Sequence, residues 1–421
     1  MLHINNIREN KDSYIKLLKI KNFDASELFD LVIQKDDERK GAKQQADEFL
    51  SKGNQLAKQI GELYKTGKAK EANVLKEESA NIKQESKALQ IKQTELEKEI
   101  QAVLVQIPNI PFHTVPSGKS DADNVTIKKV GTIPALIEDA KPHWELTSDY
   151  RLIDFELGNK ITGSGFPVYT NKGAKLQRAL ISYFLDKNTD AGYTEYLPPH
   201  VVNEASGFGT GQLPDKEGQM YHATEDNLYL IPTAEVPVTN FFRNVIVKEF
   251  PIKCTAYTPC FRREAGSYGK EVRGLNRLHQ FDKVEIVQIQ HPEESYETLD
   301  AMVKHVASIL DELELPYKIM QLCGGDLGFT SALTFDFEVY SAGQDRWLEV
   351  SSVSNFESYQ ANRLKLRYKD ENGKTQLCHT LNGSALALPR IYAALIENNQ
   401  TLEGIKIPKV LQPYTGFDII K

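Results

Sequence analysis

Proline is absent between Asp24 and Pro108, and aromatic residues are few there. Nothing in that stretch breaks a helix by removing a backbone donor. Cysteine is scarce: Cys254, Cys260, Cys323 and Cys378 are the four, and no two form a Cys-x-x-Cys pair. This excludes a disulfide framework and a zinc knuckle, so no zinc is expected. No apolar run approaches the roughly 18 residues a membrane helix needs, so no membrane partner is expected. The opening segment, MLHINNIREN, has neither the apolar core of a signal peptide nor the arginine bias of a transit peptide. A reduced cytoplasm is the expected compartment. Basic residues are not in excess, since the net charge is −7, so any contact with nucleic acid must be local. The length, 421 residues, exceeds one core of average size and predicts two domains.

What is present divides at about residue 108. Residues 1–108 read as helix, rich in Lys, Glu, Gln and Ala. Alternate steps of four and three from Leu28 reach Val32, Lys35, Arg39, Ala42, Ala46, Phe49, Gly53, Leu56, Ile60 and Leu63. A second run takes in Ala72, Leu75, Ser79, Ile82, Ser86, Leu89, Gln93, Leu96, Ile100 and Val103. Two heptad seams joined by a short segment with Gly67 predict an antiparallel coiled-coil hairpin over about 27–105, its tip at about 64–70. Each arm would be roughly 50 Å long at 1.5 Å per residue. The seams are poor, which suits a narrow, solvent-standing hairpin. From Lys52 to Lys70 there are five lysines and one acid, so the far end is basic on an acidic protein and suited to phosphate.

Residues 109–421 have another texture. Pro108 and Pro111 stop the second helix, and the segment to about Asp139 reads as a polar linker. Helical periods follow at 172–190, 292–312 and 389–399. Strand-like runs lie at 193–202 (broken by Pro198 and Pro199), 228–231, 281–290, 334–340 and 347–351. With no regular β-α-β rhythm, the fold class is α+β: an antiparallel sheet with flanking helices.

Five short motifs put charged or hydroxyl residues into apolar, strand-like context. They are Ile231-Pro-Thr233-Ala-Glu235; Phe261-Arg262-Arg263-Glu264; His279-Gln-Phe281-Asp-Lys283-Val-Glu285; Trp347-Leu-Glu349-Val-Ser351-Ser352; and Asn382-Gly-Ser384 leading through Pro389-Arg390. Strand alternation puts Phe281, Lys283 and Glu285 on one face. Arginine beside a glycine-bearing loop suits phosphate, because its planar fork donates two hydrogen bonds at once. Arg390 at a helix start is disfavoured unless a phosphate sits there too. His279 alone reads as a structural residue. Gly207-Phe-Gly-Thr-Gly211 lacks the lysine and spacing of a P-loop and reads as a turn or mobile lid.

Together these motifs resemble the class II aminoacyl-tRNA synthetases, and among them the seryl-tRNA synthetases, over nearly the whole chain. Phe261 to Glu264 resembles motif 2, within TPCFRREAGSYGKEVRGLNRLHQFDKVEIV; Thr233-Ala234-Glu235 resembles the family's TAE triplet. Glu349 to Arg363 resembles its E-SS-SN-QA-R run, and His379 to Arg390 (HTLNGSALALPR) its motif 3. Motif 1 would end at Pro199 and implies a homodimer. The family commonly has glycine at the places of Ala385 and Pro389, and arginine at that of Asn362; altered packing without loss of activity is expected.

The resemblance implies ATP-dependent activation of L-serine to seryl-adenylate, then transfer to the 3′ end of tRNA(Ser), with tRNA(Sec) left open as a second acceptor. It implies that Arg262, Arg390 and Glu349 are catalytic. Serine would be bound by Thr233, Ala234, Glu235, Arg262, Glu285 and Ser384. ATP would meet Arg262, Arg263, Glu264, Leu278, Phe281, Glu349, Val350, Ser351, Ser352 and Arg390, with Mg²⁺ on Glu349 and Ser352. The hairpin would be a tRNA-binding arm with Lys52, Lys58, Lys65, Lys68 and Lys70 as its contacts. One rival is a ligase loading an amino acid onto a carrier protein, which should lack a long arm. The other is a coiled-coil adaptor with a degenerate catalytic domain, in which Arg262, Glu264, Glu349 or Arg390 should be lost first.

Overall fold

The computed structural model describes residues 1–215, 217–264 and 273–421, so the middle of the motif-2-like loop, 265–272, lies outside the described residues. The chain forms two compact units. One is Met1–Lys19 with Phe23–Pro108; the other is Ile20–Asn22 with Asn109–Lys421.

In the first unit, α1 (Ile4–Leu18) is followed by two long helices, α2 (Ser26–Lys65) and α3 (Ala69–Leu104). These pack against one another as an antiparallel hairpin. The heptad seams predict which residues face inward. Val32, Ala42, Ala46 and Leu56 of α2 are buried, as are Ala72, Ile82, Ser86, Leu96, Ile100 and Val103 of α3. The remaining seam residues are half-buried, and almost every residue between them is exposed. The turn is tight: Gly67 has φ +77°, a left-handed value that favours glycine, and the Lys68 N–H returns to the Leu63 carbonyl at 2.9 Å.

A thin apolar seam is reinforced by charge. Asp36, 1% exposed, faces Arg8 of α1 at 2.9 Å, Arg39 at 2.8 Å and Lys40 at 2.9 Å. Burial alone would raise its pKa, but the hydrogen bonds from Arg39, Lys40 and Arg8 outweigh it and hold it at about 2.

In the second unit the core is a sheet of eight strands, numbered here in chain order: β1 (Val125–Val130), β2 (Thr194–Tyr196), β3 (Ile252–Phe261), β4 (Gln280–Gln290), β5 (Tyr317–Gln321), β6 (Leu333–Ser341), β7 (Arg346–Asn355) and β8 (His379–Ala387). Their spatial order is β1-β5-β6-β7-β8-β4-β3-β2. All neighbours are antiparallel except β2 and β3. Helices α5 (Asn171–Asp190), α8 (Ser295–Glu312) and α10 (Leu388–Asn398) bury apolar faces in the core that the sheet shares. The antiparallel α+β class expected from the unrhythmic strand pattern is the one observed.

Two local readings are corrected. The linker before Asp139 contains β1, which pairs with β5 while its side chains stay almost wholly exposed. It joins through backbone hydrogen bonds at a sheet edge, so it leaves little hydrophobic signature. The Gly207–Gly211 run is not a loose turn: it ends helix α6 (Glu204–Thr210), with Gly211 at φ +100° as its cap. Its glycines serve close packing, since a Cβ at Gly209 would stand 2.6 Å from Leu364, the last residue of helix α9 (Ser358–Leu364), and 2.8 Å from Asn240.

Asp36 makes the first unit sensitive to acid. A depressed carboxyl pKa gives stability that is present above the unfolded value and lost as pH falls through about 2. Asp36→Asn should cost about 2 kcal/mol at neutral pH, a gap that closes toward pH 2. Helical ellipticity followed through urea unfolding at both pH values checks this.

Candidate active site

The register of β4 against its two neighbours builds the first cluster. Glu285 lies opposite Ser384 of β8 and Ala256 of β3. It is 1% exposed, yet its carboxylate is well partnered. Lys283 Nζ is 2.5 Å from Oε2, Thr233 donates its hydroxyl to the same oxygen at 3.3 Å, and the Asn382 amide donates to Oε1 at 3.1 Å. Glu235, at the start of the short helix α7 (Glu235–Asn240), points into the same region and is also buried. Gln360 donates to it at 2.6 Å and to the Thr210 carbonyl at 3.1 Å, while the Thr380 hydroxyl donates to Gln360 at 2.7 Å. Burial, then the Glu285 charge, push Glu235 up to about 7 against the pull of Gln360, Lys283 and Arg262. The result is a buried, polar, acid-rich cluster with one carboxyl poised near neutrality. A small cation suits it.

The second cluster lies where strands end and loops begin. Arg262 follows β3, its N–H bonded to the His279 carbonyl at 2.9 Å, and its guanidinium stands 5.3 Å from the Phe281 ring centroid. Glu264, at φ +47°, pairs with Arg277 at 2.8 Å. Arg390 opens α10; its Nη1 donates to the Glu349 carbonyl at 2.8 Å and its Nε to the Asn276 carbonyl at 3.1 Å. Glu349 is exposed at the surface of β7, and the Ser352 hydroxyl donates to it at 3.5 Å. On β6 the buried Asp336 faces Ser352 across the register, with Oδ1 lacking a protein partner. Burial and the Glu349 charge drive its pKa well upward. Two arginines, an aromatic face and a set of hard oxygen donors together suit a nucleotide's phosphates and base.

The named residues thus divide cleanly. Thr233, Ala234, Glu235, Glu285 and Ser384 are buried and belong to the first cluster; Arg262, Phe281, Glu264, Glu349, Ser352 and Arg390 belong to the second. Arg263 is exposed, its guanidinium 5.9 Å from the Tyr221 ring. Leu278 and Val350 have side chains inside the core, and the buried Ser351 hydroxyl donates to the Ser384 carbonyl at 2.6 Å. A ligand could meet these three only through backbone groups. His279 is structural, its Nδ1 within 3.1 Å of both the Tyr221 hydroxyl and the Arg262 carbonyl. Sequence reasoning gave no role to Lys283, Asn382, Gln360 or Thr380. Alternation with Glu285 and Ser384 could have flagged Lys283 and Asn382; Gln360 lies in the Glu349–Arg363 run singled out above, but nothing local shows that its partner is Glu235.

Known families match this chain over most of its length. The family model described as "Seryl-tRNA synthetase N-terminal domain" matches residues 1–111, and "tRNA synthetase class II core domain (G, H, P, S and T)" matches residues 219–399. The serine–tRNA ligase of Salinibacter ruber is 48% identical, covering 99% of this chain and 98% of its own. The chain belongs to the seryl-tRNA synthetase family. The serine–tRNA ligase of Akkermansia muciniphila is 47% identical over 100% of this chain and 99% of its own. The crystal structure of the Pyrococcus horikoshii seryl-tRNA synthetase, complexed with ATP, superposes with a TM-score of 0.91 at 33% identity, covering 100% of this chain and 99% of that one.

Lys283 is the cation that lets this family member bury Glu285. Lys283→Met should lower unfolding stability by about 3 kcal/mol, because it leaves a carboxylate uncompensated, while Lys283→Met with Glu285→Leu should recover most of it. Denaturant unfolding of the two variants tests the pair.

Proposed function

We propose that the two clusters divide the work of charging tRNA with serine. The observation that carries this reading is the partnered Glu285 beside a second buried acid, Glu235, in a seryl-tRNA synthetase chain. Glu235 takes the serine ammonium, with Thr233 as neighbour and Ala234 between them. Glu285 and Ser384 take the hydroxyl. A substrate without that hydroxyl leaves both unpaired, which is costly in a buried site.

In the first step a serine carboxylate oxygen attacks the α-phosphorus of ATP, and the bond to the bridging oxygen breaks, releasing pyrophosphate. Arg262 steadies the charge that gathers on the α-phosphate oxygens, and Arg390 holds the γ-phosphate. Phe281 stacks on adenine, Glu264 reads its amino group, and Arg263, Leu278, Val350 and Ser351 complete the nucleotide's surroundings. In the second step the 3′-hydroxyl of tRNA(Ser) attacks the seryl carbonyl and AMP departs. Glu349 and Ser352 are hard oxygen donors 3.5 Å apart, backed by the unpartnered Asp336 oxygen, and this donor set fits Mg²⁺. When bound, Mg²⁺ supplies charge neutralisation to the phosphates. Among the described residues no group of three or more His, Cys, Asp and Glu could hold a metal by itself.

The hairpin carries the tRNA contacts. Lys52, Lys58, Lys65, Lys68 and Lys70 are exposed, Lys52 also reaching Glu78 at 2.9 Å and Lys68 reaching Glu71 at 3.7 Å. Dimerisation is supported at the motif-1 end, where Pro199 is exposed beside Leu197, 81% exposed, and Val201, 43% exposed. Four free, buried cysteines, and no helix among the described residues long and apolar enough to cross a membrane, accord with a cytoplasmic enzyme.

Serine-dependent ATP–pyrophosphate exchange tests the first step; exchange with a different amino acid would point to a carrier ligase, and none at all to an adaptor. Its pH profile carries a sign. Glu235 must be ionised to hold the ammonium, so KM for serine should fall severalfold as pH rises through about 7. A flat profile from pH 6 to 8 would remove Glu235 from that role. Replacing Lys65, Lys68 and Lys70 with alanine should weaken tRNA charging by about tenfold and flatten its salt dependence, leaving exchange intact.

A further inference from the structure

His143 opens helix α4 (His143–Asp149) and is completely buried; so is Glu397, in the last turn of α10. Neither touches the two clusters described above. The backbone N–H of Leu275 donates to His143 Nε2 at 2.9 Å. Since that nitrogen accepts, the ring proton sits on Nδ1, which donates to Glu397 Oε1 at 2.7 Å. The carboxylate also accepts the His143 N–H at 2.8 Å and the Gln344 amide at 3.1 Å, and the Ser341 hydroxyl reaches its other oxygen. An imidazole oriented by a buried carboxylate often keeps Nε2 for a substrate or metal. Here a backbone amide of the motif-2 loop's return leg takes that place.

The leg is pressed close. Gly274 has φ +66°, and a Cβ there would stand 2.2 Å from His143 Nε2. Arg273 lies over Trp144, 4.7 Å from the ring centroid. The next residue beyond Leu275 is Asn276. Its carbonyl accepts from Arg390 Nε at 3.1 Å, and its amide donates to Gln344 at 2.9 Å. Arg277 then reaches Glu264. Helix α10 therefore grips consecutive residues of one loop leg, through Arg390 at its start and through Glu397 and His143 at its end.

We propose that His143, oriented by Glu397, is a positioning residue for the ATP half of the site. It fixes the 273–277 leg, and through Asn276 and Arg277 it sets Arg390 and Glu264. The inference rests on the reading in which those two residues bind ATP.

The test uses two substitutions of the full-length chain that separate the two ring nitrogens. Asparagine can present an N–H where Nδ1–H stands, keeping Glu397 partnered, but offers Leu275 nothing; glutamine can offer Leu275 an acceptor. His143→Asn should raise KM for ATP about tenfold, the scale of one unpaired buried donor, with KM for serine unchanged. His143→Gln should restore most of it. Gln344→Ala, at a half-buried position, should give a smaller change of the same ATP-selective kind. Hydrogen exchange of the peptide spanning 273–278, measured without substrates, should speed up in His143→Asn. Unchanged exchange there, or both KM values rising together, would overturn the proposal. Lack of serine-dependent pyrophosphate exchange in the unsubstituted chain would instead overturn the parent reading, while the hydrogen-exchange result still decides the clamp.

Discussion

A carboxylate in the middle of a sheet must be neutralised by what its neighbouring strands can reach, and Glu285 imposes that constraint on the buried acidic cluster around it. It cannot be hydrated at 1% exposure, so Lys283, Thr233 and Asn382 take over the work of water. Because side chains alternate along a strand, Lys283 and Glu285 share a face, and the antiparallel register brings Ser384 opposite. A one-residue slip of β4 would turn the whole set into the opposite face. Burial, and after it the nearby charge of Glu285, raise the pKa of the second acid, Glu235.

The nucleotide half uses different means. Its groups stand at the ends of β3 and β4, on β7, at the start of α10 and on a loop, most of them more exposed than the first cluster. Arg390 and Glu349 hold each other through a backbone carbonyl as well as their charges, 3.6 Å apart. Such contacts can be exchanged for phosphate contacts at little cost, because both states leave the guanidinium hydrogen-bonded. Buried support comes from behind, where His143, Glu397, Ser341 and Gln344 make a satisfied polar network. Polar groups buried together are rigid only when every member is paired.

The hairpin shows the opposite balance. Its seam is narrow and interrupted by Lys35, Arg39, Gly53 and Gln93, so long helices gain little from each turn of packing. Ion pairs such as Lys35 with Glu99, 2.5 Å apart, border the seam, and the Asp36 hub joins α1 to α2. That suits a hairpin whose outer surface is polar along almost its entire length.

Periodic features were legible from the sequence. Heptad spacing identified the buried positions of α2 and α3 apart from Phe29, Asp36 and Leu104, because a helix presents every third or fourth residue to its partner whatever the rest of the chain does. Motif order was legible too, and with it the family and the residues now seen in the two clusters. Edge strand β1 was not, since it joins the sheet by backbone alone; nor was helix α6, whose glycines make sense only against Leu364 and Asn240. Asp336, His143 and Glu397 were likewise invisible as functional residues, and Gln360 was visible only as a member of the Glu349–Arg363 run. Each owes its role to a partner in another element: Gln360 to Glu235, Asp336 to Ser352, His143 to Leu275 and Glu397 to His143. The sequence alone determined most of the elements, their periodicity and the chemical types at the site. Register and long-range packing decided which charge is neutralised by which neighbour, because a buried group's partner is set by distance in space and not by spacing in the chain.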